Sequence, residues 1–166
     1  MTDSHTSPRK CGLSVLVVDD FEMVRESLKA MLSSSGHYVT LAASADEAIQ
    51  LIDAMEFDAA IVDFEMPGPD GLVLLERVQK KYPLLPVIVV SGALDATRAI
   101  QLANAGVFKV AQKPVDSSWL LSALNETSRI NDIRQRAAYW SARLTETPTP
   151  VHSETGHRRS QEQINA

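Results

Sequence analysis

"IVDFEMPGPDG", residues 61–71, runs apolar up to an acid, Asp63, and then breaks at once into prolines and glycines. Aliphatic residues without polar alternation suit a strand covered on both faces, the situation of a parallel sheet. Proline lacks the amide that a ladder needs and glycine frees the backbone to turn, so the strand stops there. A carboxylate is thereby fixed at the mouth of a buried strand, which raises the question of what stands beside it.

On either side of this stretch, short runs of the same kind alternate with helical patterns. "LSVLVVD" (13–19), "HYVTLA" (37–42), "FDAAIVD" (57–63), "LPVIVVS" (85–91) and "VFKVAQ" (107–112) predict five strands. Between them, Val24, Leu28, Met31 and Leu32 form an apolar stripe ahead of Gly36, placed as a C-cap. Ser44 and Glu47 make a capping box before Ala48, Ile49 and Ile52, and residues 70–81 and 94–105 continue the alternation. Repeated β–α units joined by right-handed crossovers give a doubly wound α/β fold of three layers.

Bulk composition narrows the function. The 166 residues suffice for one domain with a sizeable core, and a net charge of -5 disfavours a broad footprint for nucleic acid or an anionic membrane. One cysteine, Cys11, forms no internal disulfide, and "MTDSHTSPRK" lacks the apolar core of a signal peptide, so a cytoplasmic setting is expected. No apolar run approaches the ~20 residues of a membrane-spanning helix. Residues 1–12 predict a loose leader, and 145–166, polar with little to bury, a disordered tail.

In open parallel sheets, ligands bind beyond the carboxyl ends of the strands. Asp19 and Asp20 end the first strand, Asp63 the third and Ser91 the fourth, and the fifth runs into Lys113. Three carboxylates crowded at one mouth repel each other, so the arrangement calls for a divalent cation. Mg²⁺ fits, because it takes hard oxygen ligands, whereas no Cys/His cluster is present for zinc; His5, His37, His152 and His157 have no supporting ligands. With its charge partly neutralised, one acid can act as nucleophile toward phosphorus, the Ser91 hydroxyl and Lys113 ammonium serving the phosphoryl oxygens.

These residues resemble the receiver domain of bacterial two-component response regulators over about residues 13–128. "VLVVDD" is similar to the family's acidic-pair strand, "IVDFEMPGPDG" to its phosphoacceptor stretch, "VIVVSG" to its hydroxyl strand and "KVAQKP" to its lysine–proline ending. The resemblance implies a flavodoxin-like five-stranded sheet of order 2-1-3-4-5. It implies that Asp63 accepts the phosphoryl group, that Asp20 and Asp63 bind Mg²⁺ directly, Asp19 through water and Glu65 through its backbone carbonyl. Ser91 becomes the switch hydroxyl and Lys113 the pocket lysine, followed by a cis Lys113–Pro114 bond. Gly92 leaves room beside Ser91 for the phosphoryl group. A histidine kinase or histidine phosphotransferase is the implied partner, and the chain catalyses only its own phosphorylation and dephosphorylation. One departure stands out: three residues before the lysine, where many receivers carry Tyr or Phe, this chain has Val110, with Phe108 expected on the same strand face.

After Asp116 or Ser117 as N-cap, residues 117–144 contain no Gly or Pro and predict one long helix. Trp119, Ala123, Ile130, Ile133, Ala137, Trp140 and Leu144 follow a four–three spacing, broken by Glu126. Residues 129–144 thus read as a helical extension, either a coiled-coil seam for a homodimer or partner, with Tyr139 and Trp140 exposed, or a helix folded back on its own domain. Its arginines, Arg129, Arg134, Arg136 and Arg143, suit a solvated face.

The leading expectation is a phosphorylation-controlled switch of a phosphorelay, with no output domain within these residues, acting through protein contacts. The alternative is a receiver-shaped dimerisation scaffold that never takes a phosphate. A phosphatase using a similar aspartate is disfavoured, since that chemistry wants an Asp as general acid where Glu65 stands, and no substrate cap is evident.

Overall fold

A computed structural model of the chain describes residues 12–67 and 71–145, with the side chains of 138–140 and 142–145 left out. The expected leader up to Cys11, the centre of the proline–glycine turn, the side chains of Tyr139, Trp140, Arg143 and Leu144, and the tail from 146 on lie outside the described residues.

Five strands and five helices alternate: β1 (Ser14–Val18), α1 (Glu22–Ser34), β2 (Tyr38–Ala42), α2 (Ala45–Ala54), β3 (Ala59–Asp63), α3 (Gly71–Lys81), β4 (Val87–Ser91), α4 (Ala96–Asn104), β5 (Lys109–Gln112) and α5 (Ser117–Thr145). The sheet order is β2-β1-β3-β4-β5 and every pairing is parallel. Both the doubly wound architecture and the strand order agree with expectation.

Continuous apolar runs become two cores through the period-two alternation of a strand. Leu16, Val18, Ala60, Val62, Val87 and Val89 face one side, under Ala48 and Ile52 of α2, Leu74, Leu75 and Val78 of α3, and Leu102 of α4. Val15, Val17, Ala59, Ile61, Ile88 and Val90 face the other, under Leu32 of α1 and Leu120, Ala123 and Leu124 of α5. β1, β3 and β4 are central and almost wholly buried; β2 and β5, at the edges, are half-exposed.

The helix ends follow their sequence signals with small shifts. α1 closes in a Schellman motif, with Gly36 N donating to Ser33 O and His37 N to Leu32 O, so Gly36 sits one place past the cap, at φ +89°. Gly12 lies against this turn at φ +135°, where an added Cβ would come within 1.9 Å of Gly36 O. The Ser44 hydroxyl accepts from Glu47 N at 3.2 Å, and the Glu47 carboxylate reaches back to the amide of Ala43 rather than Ser44. Asp116 caps α5, accepting from Trp119 N at 2.9 Å.

α5 lies on the sheet through Leu120, Ala123, Leu124, Thr127 and Asn131, all buried. The Asn131 amide nitrogen donates to Asp58 O at 3.0 Å and Arg134 donates to Asn131 Oδ1 at 3.1 Å, so the packed part runs past residue 128. Two members of the expected seam, Trp119 and Ala123, are taken up by this packing, whereas Ile133 is 67% exposed.

Candidate phosphoryl-transfer site

At the carboxyl ends of β1, β3, β4 and β5, the expected residues meet. One ligand atom from each of Asp19, Asp20 and Asp63 lies within 4.8 Å of the other two. Parallel pairing causes this: β1 and β3 are neighbours in register from Val15↔Ala59 to Val18↔Val62, so Asp19, just past β1, and Asp63, the last residue of β3, emerge side by side. Asp19 is 2% and Asp63 3% exposed.

Lys113 answers the charge. Its Nζ lies 2.7 Å from Asp63 Oδ2 and 3.3 Å from Asp19 Oδ2. Burial works against the Lys113 ammonium, but its hydrogen bond to Asp63 and the charges of Asp63 and Asp19 outweigh that, and its pKa is raised. For Asp19, burial prevails, raising the carboxyl above its ordinary range despite the hydrogen bond from Phe21 and the charge of Lys113. Phe21 N donates to Asp19 Oδ1 at 2.8 Å and Glu65 N to Asp63 Oδ1 at 3.0 Å, which fixes both carboxylates from their own loops.

Among the described residues, Asp20 Oδ1 is the one buried side-chain polar atom with no hydrogen-bond partner. Stranding a carboxylate oxygen beside two other acids is costly unless a cation takes it up, so the donor set fits a hard divalent ion.

Ser91 ends β4 with no exposure; its Oγ accepts from Ala93 N at 3.3 Å, and its carbonyl accepts from Lys113 N at 2.8 Å. The Lys113–Pro114 bond is cis. A groove of about 710 Å³ opens from this mouth between α1 and the loop after β5, lined by Met23, Val24, Leu28 and Pro114 among others.

This arrangement has known counterparts. The profile of the response regulator receiver domain matches residues 15–125. The chain belongs to the response regulator receiver family. An NtrX-like response regulator of Rickettsia felis is 30% identical over 125 residues, covering 74% of this chain and 26% of that protein. The DNA-binding transcriptional regulator NtrC of Escherichia coli K12 is 32% identical over 102 residues, 61% of this chain and 22% of its own. A CheY-like receiver domain from Methanospirillum hungatei superposes with a TM-score of 0.69 at 29% identity, covering 75% of this chain and 98% of that one. The receiver thus spans about a quarter of the length of the curated relatives it matches.

Two features of the receiver's pocket differ from what the sequence suggested. Val110 packs in the core under α2, α3 and α4, whereas Phe108 packs in the opposite one, beside Trp119 and Val115. Phe108 precedes the first residue of β5, so strand alternation does not carry it onto the face of Val110. The open side of Gly92 is filled as well: the Glu65 carboxylate accepts from Gly92 N at 2.8 Å, and Arg98 from α4 joins it at 3.4 Å. The sequence gave no sign of the Gly92 contact or of Arg98.

Proposed function

We propose that the chain is a phosphorylation-controlled signalling switch that accepts a phosphoryl group on Asp63, with Mg²⁺ held by Asp19, Asp20, Asp63 and the carbonyl of Glu65. The observation that carries this is a single one: a buried carboxylate, Asp63, paired at 2.7 Å with a lysine and grouped within 4.8 Å of two further acids. A buried acid cluster of this kind gains little as structure and much as a phosphoryl site.

In the transfer step, an Asp63 carboxylate oxygen forms a bond to phosphorus as the bond from phosphorus to the donor's imidazole nitrogen breaks, and the electron pair stays on that nitrogen. The donor class is the phosphohistidine of a histidine kinase or phosphotransferase, the partner typical of the family. Mg²⁺, when bound, supplies positive charge against the phosphoryl oxygens and the crowded carboxylates. Lys113, already beside Asp63, stays as a point charge for a phosphoryl oxygen, and the Ser91 hydroxyl exchanges its Ala93 partner for another. Exposed Met23, which lines the groove, and exposed Phe21, two residues before it, offer an apolar approach for the donor protein.

The reading is tested by titrating beryllofluoride with Mg²⁺ into the parent and Asp63→Asn, following amide resonances. A Mg²⁺-dependent change around residues 91–93 and 113 in the parent, absent from Asp63→Asn, is expected. A parent that ignores the probe overturns the reading in favour of a scaffold that takes no phosphate. No helix among the described residues is long and apolar enough to cross a membrane.

A further inference from the structure

Glu65 links the two loops that flank the pocket. Its amide donates to Asp63 Oδ1 at 3.0 Å, while its carboxylate crosses to the loop after β4 and accepts from the Gly92 amide at 2.8 Å. Arg98, in the first turn of α4, braces the contact from behind. Its NH1 lies 3.4 Å from Glu65 Oε1 and donates to Ala93 O at 2.7 Å, and its guanidinium carbon stands 5.9 Å from the centroid of the Phe64 ring. Gly92 is therefore tied directly to the chain that follows Asp63, and Ala93 indirectly, through Arg98. A Cβ at position 92 would sit 2.7 Å from Glu65 Oε2, so a larger residue there would push the carboxylate from its present position.

A backbone amide that holds a carboxylate is an anion site, and hydrogen bonds to a charged acceptor are the stronger kind. Gly92 directly follows Ser91, whose strand is in register with β3 so that Val90 lies opposite Asp63. A phosphoryl group on Asp63 would bring about -1.5 to -2 charges into the space between these loops. It would repel the Glu65 carboxylate and offer the Gly92 amide a more highly charged acceptor.

We propose that Glu65 is a positioning residue that holds the Ser91–Ala93 loop in its resting arrangement by occupying the Gly92 amide, in competition with the phosphoryl group on Asp63. This rests on the phosphoacceptor reading above and adds a direction to it. Part of the drive from phosphorylation is consumed in displacing Glu65, so shortening its side chain makes the switch easier to throw.

The test uses the full ¹⁵N-labelled chain as parent, Glu65→Ala and Glu65→Gln. Without metal or beryllofluoride, the Gly92 amide of Glu65→Ala is expected to exchange with solvent roughly tenfold faster, as the loss of one charge-assisted hydrogen bond implies. At fixed Mg²⁺, beryllofluoride is expected to bind Glu65→Ala about three- to tenfold more tightly than the parent, since the variant no longer has a competing conformer to displace. Glu65→Gln keeps the shape and a neutral acceptor, and is expected to fall between the two. Equal or weaker beryllofluoride binding in Glu65→Ala overturns the proposal, whether or not the amide is freed, and so does an unchanged Gly92 exchange rate. If neither parent nor variant responds to beryllofluoride, the phosphoacceptor reading itself fails and the competition falls with it; binding that is equal in both overturns the latch alone.

Discussion

Lys113→Met separates a pocket held together by charge from one held by packing. The lysine pairs with Asp63 at 2.7 Å and with Asp19 at 3.3 Å, and both acids are almost fully buried. At an effective dielectric of about 20, these pairs correspond to roughly 6 and 5 kcal/mol of attraction. Most of that is returned as the desolvation of the three groups, and removing one partner of a buried pair costs about 3–5 kcal/mol in practice. The Lys113 side chain keeps 29% exposure, which places the expected loss at the lower end, about 3 kcal/mol, or roughly 10 °C in Tm for a domain of this size. Calorimetric melts in a chelator should show this drop, and Mg²⁺ should restore more stability to Lys113→Met than to the parent, because the variant retains the acids without the ammonium that competes for them. Adding Asp63→Asn should recover a substantial part of the loss by removing one repelling charge. A Lys113→Met variant as stable as the parent in chelator, and no more responsive to Mg²⁺, would refute the view that the acid cluster is uncompensated without its lysine.

The remaining expectations concern the scaffold that holds the site. Leu124→Ala empties a fully buried position between α5 and the sheet and should cost about 2–5 kcal/mol in urea unfolding; a loss under about 1 kcal/mol would mean that α5 does not seal this core. Gly12→Ala meets Gly36 O at 1.9 Å from a backbone at φ +135°, so the expected loss exceeds that of Gly36→Ala, where the added Cβ meets nothing within 4 Å; chemical denaturation of the two variants checks the order. His37 is half-buried, its Nδ1 accepts from Leu13 N at 3.2 Å, and burial lowers its pKa below 6.5. The unfolded chain then binds the proton more readily than the folded one, so this part of the stability is intact above about pH 6.5 and is lost as the pH falls below it. The difference in urea midpoint between parent and His37→Asn should therefore shift between about pH 7.5 and pH 5.5, and a constant difference would count against it.

The fold was legible in the sequence wherever both faces of a strand are buried. "VLVV" (15–18) and "VIVV" (87–90) show no polar residue because each alternate side chain enters one of two cores, and that same fact fixes the sheet as parallel and helix-covered. The acids were legible for a related reason. All strands point the same way, so residues that end different strands must converge, whatever their separation along the chain. By contrast, Glu65 meets Gly92 and Arg98, 27 and 33 residues further along the chain, and no period or motif relates them. The sequence assigns the glycine after Ser91 to the phosphoryl group, and the structure gives its amide to a carboxylate.

The last helix shows a different limit. Its sheet-facing positions are Leu120, Ala123, Leu124, Thr127 and Asn131, a stripe whose second half is polar and so hides from a search for apolar spacing. Thr127 is tolerated because its hydroxyl donates to Leu124 O at 2.7 Å within the same helix, and Asn131 because its amide reaches Asp58 O at the start of β3. A polar residue that carries its own partner into the interior costs little to bury, whereas a period analysis counts it as surface. The four–three seam borrowed Trp119 and Ala123 from the sheet-facing side and joined them to Ile130 and Ile133, which turn progressively toward solvent. The interior claims α5 as far as Asn131, and the exposed Ile133 marks where a surface for another molecule would have to begin.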